Sequence, residues 1–207
     1  MNLMSSFARA LAPVAIVATI AAPVAAAPSA ELKSVEASLA ATQSMTADFL
    51  QTNGKGQQLA GTLSLKRPGK IRFAYGRGVN ALLVADGKTL HYLDYDVAQH
   101  SKWAIGSSPL AVLLAPNPDL GRIARIVASN NPQVVVVRAR DARRPEFGTL
   151  VLAFVRNGAA PGGLRLEGWT AIDAQNKKTT VRLSNQRFNV AVPDSAFSFT
   201  EPKRKKA

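Results

Sequence analysis

The chain has 207 residues, no cysteine, and a net charge of +13 from 26 Lys and Arg against 13 Asp and Glu. The lack of cysteine excludes a disulfide framework, a thiolate metal site, a cysteine nucleophile and a lipid-modified N-terminal cysteine. The basic balance points to anionic partners met through a long-range field, although the cations are scattered and a solubilising surface accounts for most of them.

At the N-terminus, Ala10–Ala22 is a short apolar run behind a single cation, Arg9, and is followed by small residues up to Ala26. This is the pattern of a secretory signal peptide spanning residues 1–26, with cleavage expected after Ala26. The run is short of the ~20 apolar residues that a membrane-spanning helix needs, and Pro13 and Pro23 interrupt it. The mature chain, 27–207, is expected to be a single exported domain. For such a chain, phospholipid head groups, lipopolysaccharide or acidic protein surfaces are more fitting partners than nucleic acid, and none is expected to be nucleic acid.

The first mature segment, Glu31–Thr42, places Leu32, Val35 and Leu39 at helical spacing behind Ser29 as a candidate cap, which predicts one amphipathic helix. The period then becomes two. Leu63 and Leu65 alternate with Thr62 and Ser64, and Ile71, Phe73 and Tyr75 alternate with Lys70, Arg72 and Ala74. Such alternation marks strands with one apolar face. Turn pairs at Asn53-Gly54, Pro68-Gly69, Asp86-Gly87, Asn157-Gly158 and Gly162-Gly163 separate the apolar runs, as hairpin connections do. Strands are predicted near 46–52, 58–66, 70–75, 80–85, 88–94, 97–104, 133–139, 147–156, 163–172, 177–185 and 186–191. They suggest one large curved antiparallel sheet or partly closed barrel.

The pattern breaks once. Ser107-Ser108-Pro109-Leu110 reads as a helix start that runs to Leu114 and stops at Pro116 and Pro118. A second helical stretch is predicted from Asp119, with Leu120, Ile123, Ile126 and Val127 on one face. Helices inserted between barrel-like strands can cover an open side, and a sheet this large has room for a ligand cavity.

Catalytic signatures are missing. The two histidines, His91 and His100, lie in predicted strands without the clustered spacing of a metal site. There is no G-x-S-x-G elbow and no phosphate-cradling G-x-x-x-x-G-K. Asp94 and Asp96 in LDYD read as turn carboxylates rather than a catalytic couple. A non-enzymatic protein without metal or cofactor is expected.

Read in order, MTADFLQ (45–51), GTLSLKRPGKIRFAY (61–75), VADGKTLHYLDYDVAQ (84–99), SPLAVLLAP (108–116) and FSFTEP (197–202) resemble the outer-membrane lipoprotein carrier family, LolA. The similarity spans nearly the whole mature chain, and its most specific part is the KRP-G-K-I-R-F-x-Y block followed by ADGKTL. The resemblance implies a mainly β fold, an unclosed antiparallel barrel with an N-terminal helix and a central helical lid. It further implies a monomeric periplasmic carrier of acylated lipoproteins. Such a carrier is loaded by an ATP-driven inner-membrane complex and emptied onto an outer-membrane acceptor that carries a lipid-modified cysteine. The present chain, lacking cysteine, fits the shuttle.

By the same resemblance Arg67 is the residue that latches the lid through backbone carbonyls, a role suited to a guanidinium with several fixed donors. The alternative for Arg67 is a solvated strand end before the Pro68-Gly69 turn. Phe49, Leu63, Leu65, Phe73, Tyr75, Leu90 and Tyr92 from the strands, with Leu110, Leu113 and Leu114 from the lid, are the candidate acyl-chain cavity, and Trp103 and Trp169 the candidate mouth. Each fits plain core equally well. A carrier of another lipid, glycolipid or sterol-like, and a module that senses lipoproteins remain the alternatives in function.

Overall fold

The computed structural model describes residues 29–203 apart from Pro109. The predicted signal segment 1–26, the proline of the predicted lid start and residues 204–206 of the basic tail lie outside the described residues. Helix α1, Ala30–Ala41, forms where the spacing predicts it. Ser29 caps it by accepting from the Leu32 N–H at 3.2 Å, and Leu32, Val35, Ser38 and Leu39 make its buried face. The buried Ser38 hydroxyl lies 2.9 Å from the Pro161 carbonyl and 2.8 Å from that of Leu164, fastening the helix to a turn of the sheet. That turn comes close because Gly162, at φ +65°, has no side chain; a Cβ there would lie 2.6 Å from Ser38 Cα.

Six strands follow: β1 (Ser44–Asn53), β2 (Gln58–Lys66), β3 (Lys70–Tyr75), β4 (Ala81–Asp86), β5 (Thr89–Asp94) and β6 (Gln99–Ala104). After a 3-10 turn at Ile105–Ser107 and the single-turn helix α2, Ala111–Leu114, the sheet resumes. It continues with β7 (Ala124–Val127), β8 (Val134–Ala139), β9 (Thr149–Arg156), β10 (Leu164–Ile172) and β11 (Lys178–Phe188). These 11 strands form one antiparallel sheet in the order β6-β5-β4-β3-β2-β1-β11-β10-β9-β8-β7. Apart from β6 and β7, sequence neighbours pair as antiparallel hairpins, and the pairing of β1 with β11 joins distant parts of the chain. Strand β6 is one edge and β7 the other, so the twisted sheet stays an open barrel.

Burial follows the two-residue period. Val135, Val137 and Ala139 of β8, and Leu150, Leu152 and Phe154 of β9, point inward. All of these but Ala139 join Phe49, Leu63, Leu65, Phe73 and the apolar faces of α1 and α2 in one core. Gly61 sits across from Phe49 in the β1–β2 register, and a Cβ there would fall 2.8 Å from the Phe49 ring and 2.1 Å from the Ala74 carbonyl oxygen. A smaller cluster lies on the outer face of β4 and β5, where Leu82, Val84 and Leu93 are covered by Val192 and Phe197 of the C-terminal segment.

Two predicted elements differ. The helical stretch expected from Asp119 is a turn followed by β7. Leu120 is buried, but Ile126 and Val127 alternate across a strand paired with Val137 and Val136 of β8. Helical spacing over few residues is ambiguous, and long-range pairing decides it. The strands expected at 177–185 and 186–191 are one strand, β11. Asn185, at φ 52°, forms a bulge opposite the register shift between Thr46 and Asp48, so the strand bends without ending.

Candidate functional site

On the concave side, aromatic rings from three strands, β3, β1 and β10, pack edge-to-face in a row. Tyr75 packs on Phe49 with ring centroids 5.5 Å apart, Phe49 on Phe73 at 5.1 Å, and Phe73 on Trp169 at 6.0 Å. Offset and T-shaped pairs of this kind add to the area they bury. Beside the row lies a groove of about 360 Å³ lined by Phe73, Leu90, Trp103, Leu110, Trp169 and Val181. Gln51, Ser107, Glu146, Asp173, Lys177 and Thr179 stand around it, so an apolar floor meets a polar rim, as ligand pockets require. Trp103 on edge strand β6 is 40% exposed.

The lid, residues 105–115, closes one side of this groove. The Ser108 hydroxyl oxygen accepts from the Leu110 N–H at 3.2 Å and starts the turn of α2. Leu113 and Leu114 are fully buried and Leu110 nearly so. The segment and the residues just after it are tied to α1 at two places. The Glu36 carboxylate accepts from the Leu120 N–H at 2.7 Å. Arg67, at the end of β2, donates from Nε to the Thr42 carbonyl at 2.7 Å and from Nη1 to the Ala115 carbonyl at 2.6 Å. One guanidinium therefore bridges the C-terminus of α1 and the C-terminus of α2. The next turn adds a backbone bond, Gly69 N–H to the Leu114 carbonyl, at 3.0 Å.

Arg67 is only 7% exposed, and none of the ion pairs among the described residues includes it. Burial pushes its pKa down from 12.5 to about 10, still charged at neutral pH. Tyr75 is moved the other way: burial, then the neighbouring Tyr92, push its phenol up to about 12, and the hydroxyl donates to Gln51 Oε1 at 3.1 Å.

The structure separates the sequence-predicted residues into groups. Phe73, Leu90 and Leu110 line the groove together with Trp103 and Trp169. Phe49, Leu63 and Leu114 lie in the core behind it, and Leu65 and Leu113 pack near Arg67. Tyr75 and Tyr92 are half-buried on the same concave face, outside the groove lining. Val181 and Leu83 line it as well; both alternate in predicted strands, and the two-residue period alone could have found them. The carbonyls of Thr42 and Ala115 left no sequence signal, because any residue supplies a carbonyl.

The histidines are on the outer face. His91 Nδ1 lies 3.0 Å from His100 Nε2, His91 Nε2 is 3.1 Å from Asp86, and His100 Nδ1 is 2.8 Å from Glu201. Asp94 accepts the backbone N–H groups of Asp96 and Val97 in a turn. Among the described residues no group of three or more His, Asp or Glu is placed to hold a metal ion, and no helix is long and apolar enough to cross a membrane.

An open antiparallel barrel with an apolar concave face, a polar rim and a one-turn lid held by bonds to backbone carbonyls defines a class: a lidded β-sheet protein built to hold apolar ligands. The family model described as outer membrane lipoprotein carrier protein LolA matches residues 40–200, and the chain belongs to this family. An outer-membrane lipoprotein carrier protein of Chromobacterium violaceum is 33% identical over 202 residues, covering 93% of each chain. One from Bordetella avium is 30% identical over 177 residues, covering 81% of this chain and 82% of its own. Among solved structures, a LolA superfamily protein from Nitrosomonas europaea aligns with a TM-score of 0.48 at 11% identity, over 84% of this chain and 99% of that one.

Proposed function

We propose that the protein is a periplasmic carrier that shields the acyl chains of lipoproteins between an inner-membrane, ATP-driven releasing complex and an outer-membrane acceptor. It acts by binding and release and catalyses no reaction. The observation that carries this reading is the bridge from Arg67 to the Thr42 and Ala115 carbonyls, which fastens a lid over an apolar, aromatic-lined concave face. Arg67 is the lid latch. The groove residues Phe73, Leu90, Leu110 and Val181 are where acyl chains begin to enter, with the exposed Trp103 at its mouth; Trp169, only 4% exposed, belongs to its floor instead of its mouth.

The energetics demand a carrier with a movable lid. Each buried CH₂ contributes ~0.8 kcal/mol, so an acylated anchor stays in a bilayer unless it is offered an equally dry surface. A groove of about 360 Å³ is at the small end of the range for a drug-sized ligand, and several acyl chains need more. The lid must therefore lift, exposing Leu113, Leu114 and the core face beneath them to cargo. Spheroplasts incubated with the purified protein should release lipoprotein into the medium as a complex with it. Release of nothing, with the protein folded, would overturn the assignment.

A further inference from the structure

The outer face of β7–β9 is built unlike the rest of the sheet. In the β7–β8 register Arg125 stands directly opposite Arg138, an arrangement of like charges that weakens strand pairing. Arg122 and Arg140 complete one groove of about 420 Å³ around these two. None of the four belongs to an ion pair among the described residues, and the nearby Asp141 is engaged by Arg144 at 3.0 Å. Four guanidiniums without a carboxylate partner thus converge on one concavity.

Next to the groove the same face is apolar. Val127 pairs with Val136, Val136 with Ala153, Val134 with Val155, and Arg138 with Val151. All five valines are partly exposed, Val127 to 38%. On β4 and β5 the equivalent outward residues are buried under the C-terminal segment, so the fold covers such a face on one half and leaves it open on the other.

We propose that the Arg122–Arg125–Arg138–Arg140 groove and the valine face beside it form a docking surface for an anionic phospholipid bilayer. Guanidinium forks match phosphate oxygens bidentately, and a bilayer presents phosphates and hydrocarbon together, so it engages both halves of the surface. A free anion would use the arginines and leave the valines in water. The groove shares Ile123 and Arg140 with the recess bordered by Ala111 and Val112 of the lid, so docking by this face brings the lid side to the membrane. The proposal stands whether or not the concave face carries acyl chains.

The test is sedimentation of the purified protein with vesicles of phosphatidylcholine alone or mixed with phosphatidylglycerol. Binding is expected only to the mixed vesicles and should fall with added salt. Each cation near an anionic surface strengthens binding about fivefold, so Arg125→Gln/Arg138→Gln should weaken it ~25-fold. That variant loses a like-charge pair and should unfold at the same or a higher temperature, which separates lost binding from lost fold. Lys55→Gln/Arg77→Gln, an equal charge change at exposed sites elsewhere, should bind as wild type. Val127→Ser should weaken vesicle binding and leave competition by inorganic phosphate unaltered. Equal loss in both double variants would overturn the proposal, as would unchanged vesicle binding by Val127→Ser. Tighter binding to poly-glutamate than to mixed vesicles would also overturn it, in favour of an acidic protein partner.

Discussion

Replacing Arg67 probes how the lid is poised. Burial works against the charged guanidinium and draws its pKa down from 12.5 to about 10. Its two hydrogen bonds, to Thr42 and Ala115, involve a charged donor and contribute about 1.5–3 kcal/mol each. Only the Ala115 bond reaches the lid, so the proposed latch favours the closed lid by about 1.5–3 kcal/mol, on the order of ten- to a hundredfold in population. A two-state lid with so small a gap is one that a partner's surface can shift.

Arg67→Lys keeps the charge but has no planar fork to span two carbonyls, and Arg67→Leu removes the charge and adds apolar surface beside Leu65 and Leu113. Both variants should fold and bind an apolar fluorescent probe, and both should fail at passing lipoprotein to acceptor membranes. Leucine should be the worse, because its apolar surface holds chains more tightly while the carbonyls lose their donor. The assay is transfer from purified carrier–lipoprotein complex to acceptor-containing membranes. Wild-type transfer by Arg67→Leu would reduce Arg67 to an ordinary strand-end residue with no part in release.

Other expectations concern the scaffold. Gly61→Ala places a Cβ against the Ala74 carbonyl and the Phe49 ring and should lower stability by about 1–3 kcal/mol, read as a drop in denaturation midpoint. Ser38→Ala leaves the Pro161 and Leu164 carbonyls without their buried donor, at a cost of about 1–3 kcal/mol. Hydrogen exchange should rise first in α1. Burial works to raise the Asp86 pKa, but bonds from the Thr89 and Lys88 N–H groups and from His91 outweigh it and hold the carboxyl at about 2, below its ordinary 3.8. A depressed carboxyl stabilises the fold above its unfolded value and loses that contribution as pH falls. Unfolding temperature should therefore decline between about pH 4 and pH 2, and Asp86→Asn should flatten that part of the profile.

Much of this architecture was legible in the sequence because a two-residue apolar period needs only local information. Leu63, Leu65, Ile71 and Phe73 fell on one face from their spacing, and the structure buries all four. What failed depended on partners far along the chain. Ala124–Val127 is too short to betray its period, and pairing with β8 makes it a strand. The bulge at Asn185 reads as a strand end unless β1 is known to lie alongside. At the site, the arginine could be picked out through the KRP motif, but its acceptors could not, since the Thr42 and Ala115 carbonyls meet only when α1 and α2 are folded against β2. The outward pair Arg125 and Arg138 was equally hidden, because only the register shows that two scattered cations face each other.

On the proposed function, affinity comes from burying acyl chains on the concave face. Its most direct test loads the protein with an apolar fluorescent probe and adds one lipoprotein in two forms, acylated and unacylated. Burial of hydrocarbon predicts displacement of the probe by the acylated form alone, with the capacity for probe reduced when Leu110 or Phe73 is replaced by a polar residue. Equal displacement by both forms, or by neither, would mean that hydrocarbon burial is not the source of affinity.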